Sequence, residues 1–371
     1  MQSKRVVQPD YTKSNINVTS ALFHYYGLSC KYAVDQDIAQ ELKKEYTTVV
    51  YLVLDGLGTK IMDDNLKPLS FLTSKLLKEV SSVYPSSTVP STTAIQTGMA
   101  PNESGWLGWQ QHFEGKYKGD IEMFIGEDFY TKEKIKGFDG RKMVPTKPLQ
   151  EIVKKAKGYT YMDDQIMEGG YHNFKELTKW ILKAGSDDEK KYIYAYYQDP
   201  DHTMHEYGSR SEQAKKVINK LDRQLKHMYK KMNDKTLVII TADHGQRDVK
   251  YHRLNDYPKL MSTLERLPSL EGRAASFTLK KGKQKQFLQQ MKQFGNEFAI
   301  YSKKDLAKNH LLGLFESHKD YDKFMGDYLV TACGDYNFYY DTGKIDHLLI
   351  GHHGGQTIDE MRVPVIVLSK K

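Results

Sequence analysis

Residues Thr47–Gly58 read TTVVYLVLDGLG. From Thr47 to Leu54 the run is uncharged and rich in β-branched, aliphatic and aromatic side chains. Neither face of such a strand is polar, which predicts burial on both sides in a parallel or mainly parallel sheet. Asp55 follows at once, and Gly56 and Gly58 suit a backbone that must turn sharply there. Three further runs share this character: Lys191–Gln198 (KYIYAYYQ), Thr236–Ala242 (TLVIITA) and Val363–Leu368 (VPVIVL). Between the second and third, Ala214, Val217, Ile218, Leu221, Leu225 and Met228 recur at three- and four-residue steps. That spacing predicts an amphipathic helix over Glu212–Met232. Strands alternating with helices define an α/β fold.

The stretch from Tyr257 to Phe338 has a different rhythm. Ala274–Leu279 and Glu297–Tyr301 read as strands, and Lys283–Phe294 and Lys303–Asn309 as helices. The expected organisation is therefore a catalytic core over residues 1–256, an inserted α+β subdomain over 257–338, and a return to the core over 339–371.

Composition narrows the possible functions. The 371 residues carry 55 Lys and Arg against 47 Asp and Glu, a net charge of +8, and are 39% hydrophobic. Such a chain can bury a core and is not a disordered tail. The two cysteines, Cys30 and Cys333, supply no disulfide framework and point to a reducing compartment. The longest apolar run falls far short of the roughly 20 residues of a spanning helix, and MQSKRVVQPDYTKSN has no apolar segment behind its charged start. The expectation is a cytoplasmic protein with no membrane partner. The basic excess favours anionic partners, and solubility accounts for it equally well. Nucleic acid is the first anionic partner to consider and a phosphate-bearing small molecule the second; no helix-turn-helix, zinc-knuckle or RNP-like pattern supports the first.

Four segments beyond Asp55 carry residues suited to chemistry, each at a predicted strand end or in a loop, where open α/β sheets bind ligands. In Tyr84–Gly98 (YPSSTVPSTTAIQTG), Pro90 suits the first turn of a helix. Thr88 then falls just ahead of an N-terminus that favours anions, either as a cap or as a nucleophile. In Asp199–Gly208 (DPDHTMHEYG), Asp201 and His205 share one face of a helical turn and can grip one ion. His202 points elsewhere, and Asp199 would face Thr203. Thr241–Gly245 (TADHG) presents Asp243 and His244, and Gly351–Gly355 (GHHGG) presents His352 and His353. Each segment alone is weak evidence. Together they offer carboxylates, imidazoles and a hydroxyl at one sheet edge, a donor set suited to zinc-like ions and unlike a cysteine-based structural site.

The ordered set resembles the type I phosphodiesterase/nucleotide pyrophosphatase family of the alkaline phosphatase superfamily. Asp55, Thr88-Val89-Pro90, Asp201 with His205, Asp243-His244-Gly245 and Gly351-His352-His353-Gly354 match its motifs in order. The resemblance implies a three-layer core with a mainly parallel central sheet and a small inserted subdomain. It implies two divalent metal ions, zinc first, with manganese or iron as alternatives. Asp201, His205 and His353 would hold one; Asp55, Asp243 and His244 would hold the other, with Thr88 as a labile ligand. Two cations about 3.5–4 Å apart would clamp the oxygens of an in-line displacement at phosphorus. The implied activity is hydrolysis of a phosphodiester or nucleotide-type phosphoanhydride through a covalent phosphothreonine. A phosphomonoesterase or phosphonate hydrolase with the same core is the alternative, and a non-catalytic metal-binding module is a further one. Ser91 stands where the family carries Asn, and Thr88, which cannot become formylglycine, argues against a sulfatase. Trp106 and Trp109 can stack on a leaving group or pack the loop on the core. Arg247, Arg273 and the lysines of Lys280–Lys285 are either anion-attracting or ordinary surface charge. Oligomeric state is open.

Overall fold

The computed structural model describes residues 6–156, 159–164, 171–344 and 347–371. The start read above for a leader therefore lies partly outside the described residues.

Thr48–Leu54 sits inside a six-stranded sheet and is buried along its whole length. It pairs in parallel with Lys191–Tyr197 on one side and with Thr236–Thr241 on the other. The sheet runs Leu76–Ser81, Arg362–Leu368, Thr236–Thr241, Thr48–Leu54, Lys191–Tyr197, Tyr159–Asp164. Tyr159–Asp164 joins in parallel, whereas Arg362–Leu368 is antiparallel to both its neighbours. Side chains alternate between the two faces of a strand, so full burial requires cover on both. The cover comes from two groups of helices. Asn15–Tyr25 packs with Gln36–Leu42 and Thr88–Thr97, and Glu212–Lys231 packs with Phe174–Ala184 and Asp201–Tyr207.

The Glu212–Lys231 helix ends one residue before the sequence expectation, with Met232 as its C-cap. The Ser211 side chain caps its start by accepting from the Ala214 N–H. Ala214, Ile218, Leu221, Leu225 and Met228 are buried, as the spacing requires, and each large apolar side chain contributes roughly 1.5–3 kcal/mol on leaving water.

A second six-stranded sheet runs Phe298–Ser302, Tyr328–Ala332, Ala274–Phe277, Ser269–Leu270, Gln110–Phe113, Gly119–Glu122, all antiparallel. Two of these strands come from residues 110–122, so the sheet is wider than the 257–338 stretch that reads as an insertion. Its apolar face meets the loops around the nucleophile candidate: Leu270, Ala274 and Leu329 share one buried cluster with Tyr84, Val89, Trp106 and Leu107. The short pair Arg247–Asp248 and Gly351–His352 ties the C-terminal histidine loop to the segment after Thr236–Thr241. No helix among the described residues is long and apolar enough to cross a membrane.

Candidate active site

Three parallel strands end side by side, and their carboxyl ends deliver the acids. Asp55 leaves Thr48–Leu54, Asp243 and His244 leave Thr236–Thr241, and Asp201 follows Lys191–Tyr197 at the start of the Asp201–Tyr207 helix. One helical turn brings His205 Nε2 to 3.0 Å from Asp201 Oδ2. His353 Nε2 lies 3.9 Å from Asp201 Oδ1. His244 Nε2 lies 3.3 Å from Asp55 Oδ1, 3.5 Å from Asp243 Oδ2 and 3.1 Å from Thr88 Oγ1. The rings of His244 and His353 stack with centroids 3.8 Å apart, so the two halves of the cluster are contiguous.

Potential ligand atoms fall into two groups, Asp201 with His205 and His353, and Asp55 with Asp201 and His244, each within 4.8 Å. Asp201 thus reaches both, whereas the resemblance assigns it to one. Asp243 commits Oδ1 to the N–H groups of Gly56 (3.2 Å) and His244 (3.0 Å) and leaves Oδ2 for the cluster. His202 is exposed, and Asp199 accepts from the Thr203 N–H and hydroxyl.

The donor set fits divalent cations. Asp55 Oδ1, Asp243 Oδ2 and His353 Nδ1 are buried without a hydrogen-bond partner, a costly arrangement for polar atoms. Burial, then the neighbouring Asp243 and Asp201, pushes the Asp55 carboxyl well above the usual range. Burial likewise raises Asp243, while it lowers His353, with help from His244. Burial also opposes ionisation of Asp201, but His205 beside it outweighs that and holds it low. Two crowded acids that resist ionisation, Asp55 and Asp243, beside a His353 that resists protonation, are what a bound positive charge would relieve.

Groups the sequence does not single out hold these side chains in place. The Tyr196 hydroxyl donates to Asp55 Oδ2, and Gln246 Nε2 donates to Asp201 Oδ1 at 2.8 Å. His205 Nδ1 donates to Gly351 O (2.7 Å) and His244 Nδ1 to Gly245 O (2.9 Å), which leaves each Nε2 facing the cluster. Only the alternation of Tyr196 along its strand, and the place of Gln246 one residue past Gly245, hinted at them. Arg273 is no surface charge: it is fully buried and bidentate on Glu360, at 2.6 and 2.8 Å. Glu360 in turn accepts from the Gly355 N–H at 2.7 Å, fixing the loop that carries His353. Arg247 is bound to Asp335 and Asp359, so neither arginine is free to draw an anion.

Thr88 is the first residue of the Thr88–Thr97 helix, one position further in than the sequence suggests, with Ser87 as N-cap. It opens onto a cavity of about 880 Å³ whose walls include Thr92, Gln96, Trp106, Phe124 and Tyr196. Trp106 lines this space and donates Nε1–H to Val144 O at 2.8 Å. The other two substrate candidates are not on the wall. Ser91 is not among the wall residues, and its hydroxyl lies 3.1 Å from Ser82 Oγ in the interior. Trp109 packs edge-on against Phe124 outside the lining. Glu271, unremarked in the sequence, is buried beside them. Its Oε1 accepts from the Ser87 hydroxyl and from the Trp109 N–H at 2.7 Å, and burial pushes its carboxyl up to about 7.

The fold and the cluster define an α/β protein with a buried acid–imidazole centre beside a helix-borne threonine. Residues 49–356 match the family described as type I phosphodiesterase / nucleotide pyrophosphatase, and the chain belongs to that family. The mouse ectonucleotide pyrophosphatase/phosphodiesterase family member 7 is 24% identical over 161 residues, covering 38% of this chain and 36% of that protein. Human family member 1 is 22% identical over 204 residues, covering 48% of this chain and 21% of that protein. The matched stretches thus span well under half of these relatives. Among solved structures, murine ectonucleotide pyrophosphatase/phosphodiesterase 5 superposes with a TM-score of 0.65 at 15% identity, over 85% of this chain and 87% of that one. An inactive variant of that protein, solved in complex with AMP, gives a TM-score of 0.64 at 14% identity, over 86% and 87% of the two chains.

Proposed function

We propose that this chain is a metal-dependent hydrolase that cleaves phosphodiester or nucleotide-type phosphoanhydride bonds through a phosphothreonine on Thr88. The observation that carries the reading is the position of Thr88: its Oγ1 is 3.1 Å from His244 Nε2, on a helix start that opens onto the large cavity. Asp201, His205 and His353 would hold one cation, and Asp55, Asp243, His244 and Thr88 the other. Two such ions, when bound, would neutralise charge on the phosphoryl oxygens and make the threonine hydroxyl easier to ionise. The chain's own groups do the rest. Thr88 Oγ1 attacks phosphorus and the ester oxygen leaves; water then cleaves the threonine ester. The first N–H groups of the Thr88–Thr97 helix face a phosphoryl oxygen with the positive end of the dipole. Tyr196 and Gln246 keep Asp55 and Asp201 aimed, and the cavity takes the leaving group against Trp106. A cavity of about 880 Å³ has room for a second ester substituent, which favours a diester over a monoester. The AMP complex of the mouse relative favours a nucleotide among diesters.

Metal content by mass spectrometry, with turnover of a bis-aryl phosphate, a mono-aryl phosphate and a dinucleotide, tests the proposal. Bound divalent metal, diester preference, and loss of at least about a thousandfold in kcat for Thr88→Ala are expected. A clear monoester preference would overturn the substrate class, and full activity in Thr88→Ala would overturn the covalent route.

A further inference from the structure

We propose that Glu271 is a positioning residue for Thr88, acting by drawing the Ser87 hydroxyl away from the nucleophile's helix so that the first N–H groups stay open to a phosphoryl oxygen. The inference rests on the role of Thr88 proposed above and extends it to the residue that controls the helix start.

Ser87 occupies the N-cap, where serine ordinarily accepts a hydrogen bond from its own helix. Here it makes no side-chain cap. Its hydroxyl donates to Glu271 Oε1 instead. Pro90, the third residue of the helix, has no N–H, so the donors of this first turn are Thr88 and Val89. A capping Ser87 hydroxyl would occupy one of the few donors on offer. Held by Glu271, it cannot.

The surroundings of Glu271 are built for this placement. It is buried, and its carboxyl answers electrostatically to His244 and His205, not to a lysine or arginine. An apolar residue would fill the same volume without the cost of burying an acid. Leu270 immediately before it has φ +77, a left-handed conformation that disfavours leucine and that turns the chain out of a regular strand. Gly108 permits that turn: a Cβ on it would lie 2.8 Å from Leu270 Cα. The other Glu271 contacts complete a seam between three segments. The Trp109 N–H donates to the same Oε1, and a Cβ on Gly354, next to His353, would lie 3.4 Å from Glu271 Cβ. The second sheet thus meets the N-cap of the nucleophile's helix at this carboxylate.

The test compares Glu271→Ala, Glu271→Gln, Ser87→Ala and the Glu271→Ala/Ser87→Ala pair, as metal-loaded full-length chains, with Thr88→Ala alongside. In Glu271→Ala the released Ser87 hydroxyl caps the helix, and kcat falls about ten- to a hundredfold with KM within about threefold. Glu271→Gln keeps an acceptor oxygen and stays within about threefold of the parent. Removing Ser87 as well relieves the block, so the pair regains at least about tenfold in kcat over Glu271→Ala, a non-additivity that mere loss of packing cannot produce. If Glu271→Ala fails to fold, the same comparison is made with Glu271→Met and its Ser87→Ala pair. Undiminished kcat on loss of the carboxyl, or a pair no faster than the single variant, overturns the inference. If Thr88→Ala retains full activity, the proposed function itself fails, whatever Glu271 does.

Discussion

Tyr196 is the residue where a small change would report most directly on the acid cluster. Its hydroxyl is the donor to Asp55 Oδ2, while Asp55 Oδ1 accepts no hydrogen bond and has only His244 Nε2 nearby at 3.3 Å. Removing that donor leaves a buried carboxylate free to rotate and no longer aimed. Tyr196→Phe is therefore expected to weaken divalent-metal binding about ten- to a hundredfold with the fold intact, read by competition with a chelator of known affinity. Unchanged affinity would show that the backbone turn at Gly56 aims Asp55 without help. The proposed ligands themselves, Asp55, Asp201, His205, Asp243, His244 and His353, were legible because their residue types and order are distinctive. Tyr196, Gln246 and Glu271 were not, because a tyrosine in an apolar strand or a glutamate in a loop has no local signature. Ser91 and Trp109 show where position along the chain stops being informative. They stand at suggestive positions in the chain, yet the rotation of a helix and the packing of Phe124 take them off the cavity wall.

At the scale of elements, the Gly351–Gly355 loop depends on a buried ion pair. Arg273 comes from the second sheet and Glu360 from the Ile358–Met361 turn of helix; their bidentate contact and the Gly355 N–H bond join the two layers at the histidine loop. Burial opposes ionisation of Glu360, but Arg273 outweighs it and holds the carboxyl below its ordinary value of 4.5. A carboxyl depressed on folding stabilises the protein above that value, and the stabilisation is lost as pH falls through the folded one. Urea unfolding is thus expected to show stability falling from about pH 4.5 downward, with Glu360→Gln removing part of that slope. Glu360→Ala, which strands Arg273 in the interior, is expected to cost about 3–5 kcal/mol at pH 7. An identical acid slope in Glu360→Gln would assign it elsewhere. The elements themselves were unevenly legible. Apolar runs such as Thr48–Leu54 and the periodic Glu212–Lys231 helix were plain because burial on a sheet or on one helix face leaves a repeating pattern. Gln110–Phe113 was not: its residues are buried although mostly polar, because Gln111 bonds to Gly105 O and Leu107 N, and His112 to Asp120. Leu76–Ser81 lies at the sheet edge with mixed exposure, so it too lacks the pattern.

Across the whole molecule the acid–imidazole centre is the junction of both layers, and it stores repulsion. Asp55, Asp201 and Asp243 converge with no lysine or arginine among the groups acting most strongly on them. Ions bound only by the folded state would stabilise it by mass action, about 4 kcal/mol at a thousandfold excess over Kd. Chelation is therefore expected to lower the thermal midpoint by several degrees and added divalent cation to restore it, followed by a melting scan; an unchanged midpoint would argue against ions at this cluster. The net charge of +8 says nothing of this centre, because its acids are buried and the surplus lysines are spread over outer faces such as that of the Glu212–Lys231 helix. The sequence by itself determined the α/β class and the ordered acids and histidines, because strand burial and strand-end chemistry are local patterns. Only the tertiary structure decided that Asp201 faces both ligand groups, that Arg273 lies inside, and that residues 110–122 and 269–332 form one sheet. Those outcomes depend on contacts between segments far apart in the chain, where no spacing along the sequence records which side chain meets which.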